Sequence, residues 1–142
     1  MPPLQYPFRP HRNRLLYALA AALIIALGLL WRSSLLPLTH FLSKYGGDAL
    51  WALVVFLTFG FLFTRASTLR IALLSLAFAG SIELLQLYHA PWIDSLRAIP
   101  IGHLILGSTF NAPDLLAYAF GIALGAFAEL LLAGTTTLVS HE

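Results

Sequence analysis

The sequence contains no cysteine and few charged residues, and each shortage excludes a class of protein. Without cysteine the chain has no disulfide bonds, no thiolate nucleophile and no cysteine-ligated metal. Charged residues make up 10% of its 142 residues, whereas about one quarter of a typical soluble domain is charged. The chain therefore has too little charge to cover the water-facing surface of a soluble globular fold.

Apolar residues are abundant instead, and they occur in long runs. They make up 59% of the chain, and the mean hydropathy is +0.84. A helix of about 20 apolar residues crosses the hydrocarbon core of a bilayer. The runs predict an all-α integral membrane protein with four transmembrane helices, at about residues 15–31, 49–63, 69–88 and 115–134. A basic tail over residues 1–14, one membrane domain over 15–134 and a polar tail over 135–142 complete the predicted organisation.

Two connecting segments contain features that break or start helices. Pro91, Pro100 and Gly107 interrupt the apolar residues between the third and fourth spans, so we expect a re-entrant or interfacial segment there. The segment 32–47 before the second span is likewise expected to include a short interfacial element. Asp48 and Asp114 precede the second and fourth spans, where an aspartate commonly caps a helix.

Arginine and lysine residues are distributed unequally between the two predicted faces of the membrane. Five lie on the side of both termini and three lie on the other side, and cytoplasmic segments carry the excess of positive charge. We therefore expect both termini to be cytoplasmic, and we interpret the net charge of +2 as a topology signal, with no nucleic acid as a partner. The five are Arg9, Arg12, Arg14, Arg65 and Arg70; the three are Arg32, Lys44 and Arg97.

Glu83 is the most informative polar residue because it lies inside an apolar run. A lone charge at the bilayer centre costs roughly 2.5–3.5 kcal/mol or more, so other groups must compensate for it. Glu83 is a candidate general acid or base, with Asp114 as a second catalytic candidate. Equally, it is a candidate fixed anion paired to Arg32, Lys44 or Arg97.

Five further residues are candidates for binding a ligand on the same membrane face. An arginine grips a phosphate or carboxylate with two parallel hydrogen bonds, and Arg97 lies among apolar residues with no topological need for its charge. It could instead neutralise Glu83 or Asp114, and Gln86 could serve as an interhelical hydrogen-bond partner. The candidates are Arg32, Lys44, Gln86, Arg97 and Tyr118. The polar chemistry is therefore expected on one face only, with Glu129 as an ordinary interface residue at the other.

Gly121 and Gly125 form a small-residue stripe on the fourth span that allows another helix to approach closely. We expect the third span to pack there, and the stripe is also a candidate surface for homo-oligomerisation. The histidines show no metal-ligand spacing, and no Gly-x-Ser-x-Gly motif is present, so no metal, cofactor or serine nucleophile is predicted.

Two resemblances follow from these residues. Glu83-Leu-Leu-Gln86, and Asp114 followed by Gly121 and Gly125, resemble the VanZ-like small bacterial membrane proteins, with Tyr118 where that family has an asparagine. A closer similarity is to short inner-membrane proteins known only as a domain of unknown function. It rests on Lys44-Tyr-Gly-Gly-Asp-Ala-Leu-Trp51, Pro91-Trp92, Arg97 and Leu106-Gly-Ser-Thr-Phe110.

These resemblances imply a multi-pass protein of the bacterial inner membrane and the cell envelope as its setting, but no reaction. The leading hypothesis is a protein that binds or processes an amphiphilic, phosphate-bearing envelope molecule at an outward-facing polar site. The alternative is a non-enzymatic accessory or structural membrane subunit, or a small transporter component. Whether the chain is an enzyme, its substrate and its protein partners are left open at this point.

Overall fold

A computed structural model describes residues 11–139 of the chain, with side chains as far as Ala133. This range folds into six helices, and four of them are long and apolar enough to cross a membrane. The helices are α1 (Arg14–Trp31), α2 (His40–Leu62), α3 (Thr68–Leu85), α4 (Pro91–Ala98), α5 (Pro100–Leu106) and α6 (Asp114–Val139). The predicted all-α membrane fold is confirmed. Most of the expected basic tail and residues 140–142 of the expected polar tail lie outside the described residues, and α6 continues past its expected end near residue 134.

Short polar side chains start three of the long helices. Asn13 accepts hydrogen bonds from the backbone at the start of α1, and Thr39 and Ser67 do the same for α2 and α3. The prediction that Asp48 caps the second span is therefore wrong, because the Thr39 cap starts α2 well before it. The helix continues through Gly46 and Gly47, so the segment expected to lie in the interface is largely the first part of α2.

Helix α2 is the centre of the bundle. It packs against α1, α3 and α6, and α6 also packs against α3. The core between them consists of Ala52, Phe56, Ile71, Ala79, Tyr118 and Ile122. Helix α1 packs mainly against α2, with Tyr17 also contacting Glu129 of α6, and it has no buried residue, so its outer face is available to lipid.

The small-residue stripe on α6 faces α2. A Cβ atom at Gly121 would overlap the carbonyl oxygen of Ala49, and one at Gly125 would lie 2.7 Å from Cδ1 of Phe56. The expected close approach of another helix is present, but the partner is α2 and not α3. The surface suggested for homo-oligomerisation is thus filled within the chain.

The interrupted segment between the third and fourth spans forms two short helices. Pro91 and Pro100 occupy their first turns, where the missing N–H of proline is tolerated. Between them Ile99 is extended, and Gly102 brings α5 against the carbonyl group of Leu96. Helix α5 also contacts α3, which places it beside the polar end of the bundle.

Candidate functional site

A polar cavity of about 410 Å³ lies where α1 ends, α2 and α6 begin, and α3 meets α5. Its lining combines both signs of charge with hydroxyl, imidazole and amide groups. The polar residues around it are Arg32, His40, Ser43, Lys44, Asp48, Gln86, His103, Ser108, Thr109, Asp114 and Tyr118. The structure thus brings Arg32, Lys44, Gln86, Asp114 and Tyr118, all proposed from the sequence, to one cavity.

Four of these side chains form an alternating row of ion pairs. Nη2 of Arg32 donates to Oδ1 of Asp48 at 2.6 Å, and Nζ of Lys44 lies 3.5 Å from Oδ2 of the same carboxylate. Lys44 also donates to Oδ1 of Asp114. The two cationic side chains are 36% and 34% exposed, against 13% and 9% for the carboxylates, so a molecule entering the cavity meets the cations more readily.

The helices explain how residues distant in sequence reach this row. Lys44 and Asp48 are four residues apart on α2 and therefore share one face. Arg32 ends α1 and Asp114 begins α6, so both lie at the same end of the bundle. Nδ2 of Asn111 donates to Oδ1 of Asp114 at 2.5 Å and holds that carboxylate in place.

Glu83 is fully buried and lies behind the cavity wall. Its carboxylate accepts hydrogen bonds from Tyr118 Oη at 2.9 Å, from Gln86 Nε2 at 3.2 Å and from the backbone N–H of Asn111 at 2.6 Å. None of the cationic side chains in the described range pairs with it, which differs from the expected partners Arg32, Lys44 and Arg97. Because only Tyr118 and Gln86 of this group line the cavity, Glu83 can influence a ligand only through them.

Arg97 is also buried, but it does not line the cavity. Its Nη2 donates to the carbonyl oxygen of Leu85 at 2.8 Å, and its Nη1 donates to that of Tyr88 at 2.9 Å and to Asp94 at 3.0 Å. Carbonyl groups at a helix end lack partners within the helix. Arg97 therefore caps the end of α3, and neither of its suggested partners, Glu83 and Asp114, contacts it.

An apolar groove of about 280 Å³ adjoins the cavity. Its walls come from α1, α2 and α5, and they consist of Ile24, Ile25, Gly28, Leu29, Gly47, Leu50, Val54 and Ile101 together with four residues that also line the cavity. The four shared residues are Arg32, Trp51, Leu104 and Ile105. Polar and apolar spaces of this kind side by side match the two halves of an amphiphile.

A family model described as "Protein of unknown function (DUF2809)" matches residues 38–122, which is more than half of the chain. The chain belongs to the DUF2809 family. No solved structure matches it. The match confirms the predicted similarity to a family of unknown function, whereas the resemblance to VanZ-like proteins stays a prediction.

The DUF2809 match includes most of the residues that line the cavity, among them several that were not candidate site residues from the sequence. Trp51 packs its ring against Tyr118 with centroids 5.2 Å apart. Gly107 has φ +63°, and a Cβ atom there would lie 2.5 Å from Nε2 of Gln86, so only glycine lets the loop pass over that amide. A glycine directly after a helix is a stop signal that can be recognised in the sequence. Asn111 donates to Glu83 through its backbone N–H, so its residue type does not indicate this role.

A second polar cluster lies at the other end of the bundle, and its two charged residues, Arg12 and Glu129, fall outside the DUF2809 match. Nε and Nη2 of Arg12 donate to the carboxylate of Glu129 at 2.9 and 2.5 Å, and the hydroxyl groups of Thr68 and Tyr17 donate to the same carboxylate. Both charged residues are buried. The expectation of polar chemistry at one face only is therefore wrong, and Glu129 is not an ordinary interface residue.

Arg12 also connects this cluster to the turn after α2. Its Nη1 donates to the carbonyl oxygens of Phe63 and Ala66 at 3.3 and 2.5 Å. Burial alone would lower the pKa of Arg12, but the hydrogen bond and the charge of Glu129 outweigh it and raise the pKa above its usual value. Arg12 is therefore a permanent cation that fastens the start of α1 to the rest of the bundle.

Proposed function

We propose that the chain binds an amphiphilic, phosphate-bearing molecule of the bacterial envelope. The head group occupies the polar cavity and an alkyl chain occupies the apolar groove. The observation that carries this proposal is the shared wall, because Arg32, Trp51, Leu104 and Ile105 line both spaces. A ligand with a polar and an apolar part can fill both at once.

The phosphate is assigned from the groups that reach the cavity. Arg32 and Lys44 are about one third exposed, and guanidinium and ammonium groups are the usual partners of phosphate in proteins. Ser43 and Thr109 add hydroxyl donors on the same lining. The expected topology, with both termini cytoplasmic, opens this cavity to the outer side of the inner membrane.

The alkyl chain is assigned from the position of the groove. Along the groove α1 packs against α2, and no further described helix closes the space between α1 and α5. Leu29 and Ile101 on its walls are 54% and 68% exposed, which in a bilayer means contact with lipid. An acyl chain can therefore enter sideways from the membrane while its head group stays at the polar end.

A narrower proposal is that the protein also processes the bound molecule, with Asp114 as the acid or base. This carboxylate lines the cavity and contacts Lys44, whereas Glu83 reaches the cavity only through Tyr118 and Gln86. Asp114 is therefore the better candidate acid or base, with Glu83 orienting the Tyr118 hydroxyl group.

A non-enzymatic structural or accessory role is the second candidate. It is favoured by Arg97, whose hydrogen bonds go to backbone carbonyl groups and Asp94, and by Glu83, which is buried and does not itself line the cavity. On this account the polar groups fix helix packing, and the partner of the bundle is another membrane protein.

Arg32→Gln separates the two candidates. Arg32 makes one ion pair at the rim, so we expect the variant to fold while losing most of the lipid phosphate that co-purifies with the parent. Native mass spectrometry in mild detergent measures the bound species. Arg65→Gln is the matched control, because Arg65 is exposed and lies at the opposite end of the bundle. Equal lipid occupancy in all three proteins would refute the binding proposal and favour the structural role.

A further inference from the structure

We infer that the head group is zwitterionic, with an ammonium group as well as a phosphate. This inference rests on the proposed function and specifies its ligand class. It comes from the charge balance of the cavity and from the free ends of the ion-pair row that runs from Arg32 through Asp48 and Lys44 to Asp114.

The row is electrically neutral, since two cationic and two anionic side chains alternate along it. Both cations already have carboxylate partners. A head group that carries only negative charge would bring a third anion beside Asp48 and Asp114 with no cation to match it. In a partly buried site such an unmatched charge is costly.

The two ends of the row carry unsatisfied hydrogen-bonding groups of opposite kinds, donors at Arg32 and an acceptor at Asp114. The Arg32 side chain makes hydrogen bonds to described residues through Nη2 alone, which leaves guanidinium N–H groups at one end. All hydrogen bonds to the Asp114 side chain from described residues reach Oδ1, which leaves Oδ2 at the other end. Both residues line the cavity.

A zwitterionic head group matches both ends. Its phosphate accepts from Arg32, its ammonium group donates to Asp114, and the charges of the row stay balanced after binding. Each group exchanges its water for a partner of opposite charge. Phosphoethanolamine is the simplest head group with this arrangement, so it serves as the probe.

The test is a competition among three lipids with identical acyl chains, added in equal amounts to the full chain in detergent. Their head groups are phosphoethanolamine, phosphoglycerol and phosphate alone, and native mass spectrometry measures the bound fraction of each. We expect the phosphoethanolamine lipid to be enriched roughly threefold or more, which corresponds to one exposed ion pair. Asp114→Asn should abolish this enrichment, and Arg32→Gln should weaken binding of all three.

The outcomes separate the two proposals. If either anionic lipid binds the parent as well as the phosphoethanolamine lipid, but Arg32→Gln still weakens binding, the zwitterion inference fails and the proposed function stands. If Arg32→Gln leaves the bound fraction of all three lipids unchanged, the proposed function fails as well. The ranking on the parent decides the inference by itself, so it does not depend on whether Asp114→Asn folds.

Discussion

At the scale of single residues, the structure separates buried polar groups that hold the fold from polar groups that line the cavity. Glu83 and Arg97 belong to the first kind, because neither lines the cavity and their hydrogen bonds go to backbone groups or to neighbouring side chains. Arg32, Lys44 and Asp114 belong to the second kind. Residue type does not distinguish the two kinds, since each contains an arginine and an acid.

Glu83→Gln tests the structural role at this scale. A glutamine retains one acceptor oxygen and places an NH₂ group against the donors of Tyr118, Gln86 and Asn111. An unsatisfied buried donor costs about 1–3 kcal/mol, so the variant should unfold at a lower temperature in detergent. Ser81→Ala on the exposed side of the same helix is the control and should change little. Unchanged unfolding of Glu83→Gln would contradict the assigned hydrogen bonds.

The residues of the site were partly predictable, and the reason for the failures is specific. Glu83, Lys44 and Asp114 stand out because a charge in an apolar chain needs an explanation. Partners close in sequence follow from helical spacing, as for Lys44 with Asp48. The distant partners were not predictable, because Asn111 donates to Glu83 through its backbone N–H and Arg97 donates to carbonyl groups of another segment. Hydropathy and spacing carry no information about such contacts.

At the scale of elements, α2 organises the bundle through the close approach of α6. Gly121 is the point of closest contact, since a Cβ atom there overlaps the backbone of Ala49. The glycine pattern predicted close packing, but the expected partner, the third span, was wrong. Pairing of helices depends on the whole set of faces, and α3 uses Ile71, Ser75 and Ala79 for its own packing.

Gly121→Ala tests this packing with a matched control in the chain. The added methyl group must push α6 away from α2, and overpacking costs typically 1–3 kcal/mol, so the unfolding temperature should fall. Gly80→Ala adds the same methyl group where no atom lies within 4 Å, and it should be neutral or slightly stabilising. Equal stability of the two variants would show that α6 does not approach α2 this closely.

The ion pair of Arg12 with Glu129 attaches the start of α1 to α6. Arg12 and Glu129 are separated by 117 residues, so no local pattern could reveal the pair. Removing one partner of a buried ion pair costs roughly 3–5 kcal/mol because the other charge is left uncompensated. Arg12→Met should therefore destabilise the protein strongly, and Arg12→Met with Glu129→Met should cost less than Arg12→Met alone. Thermal unfolding of the two variants tests this, and a double variant that is no more stable than Arg12→Met would count against the pair.

At the scale of the whole molecule, the bundle has a polar cluster at each end, and the two clusters differ in how far their charged side chains are buried. The Arg12 and Glu129 cluster is buried and its carboxylate accepts four hydrogen bonds, whereas the cavity end leaves Arg32 and Lys44 partly exposed. One end is therefore suited to holding the helices together, and the other to meeting a ligand. The four spans were predictable from hydropathy alone, but this division of roles depends on contacts between distant segments.

The central claim is that one ligand fills both the cavity and the groove, and Trp51, on their shared wall, reports on it most directly. In a background with Trp31→Phe and Trp92→Phe, Trp51 is the remaining tryptophan of the chain, which contains three. A lipid brominated on its acyl chain, added at near-equimolar amounts in detergent, quenches tryptophan fluorescence on contact. Gly28→Leu fills the groove, since a Cβ atom at Gly28 meets nothing closer than Leu50 at 3.9 Å.

Ala26→Leu, on an exposed position of the same helix that does not line the groove, is the matched control. We predict that the lipid quenches Trp51 fluorescence in the single-tryptophan background and in its Ala26→Leu variant. Most of this quenching should be lost in the Gly28→Leu variant. Equal quenching in all three proteins would show that the acyl chain does not lie in the groove and would contradict the account.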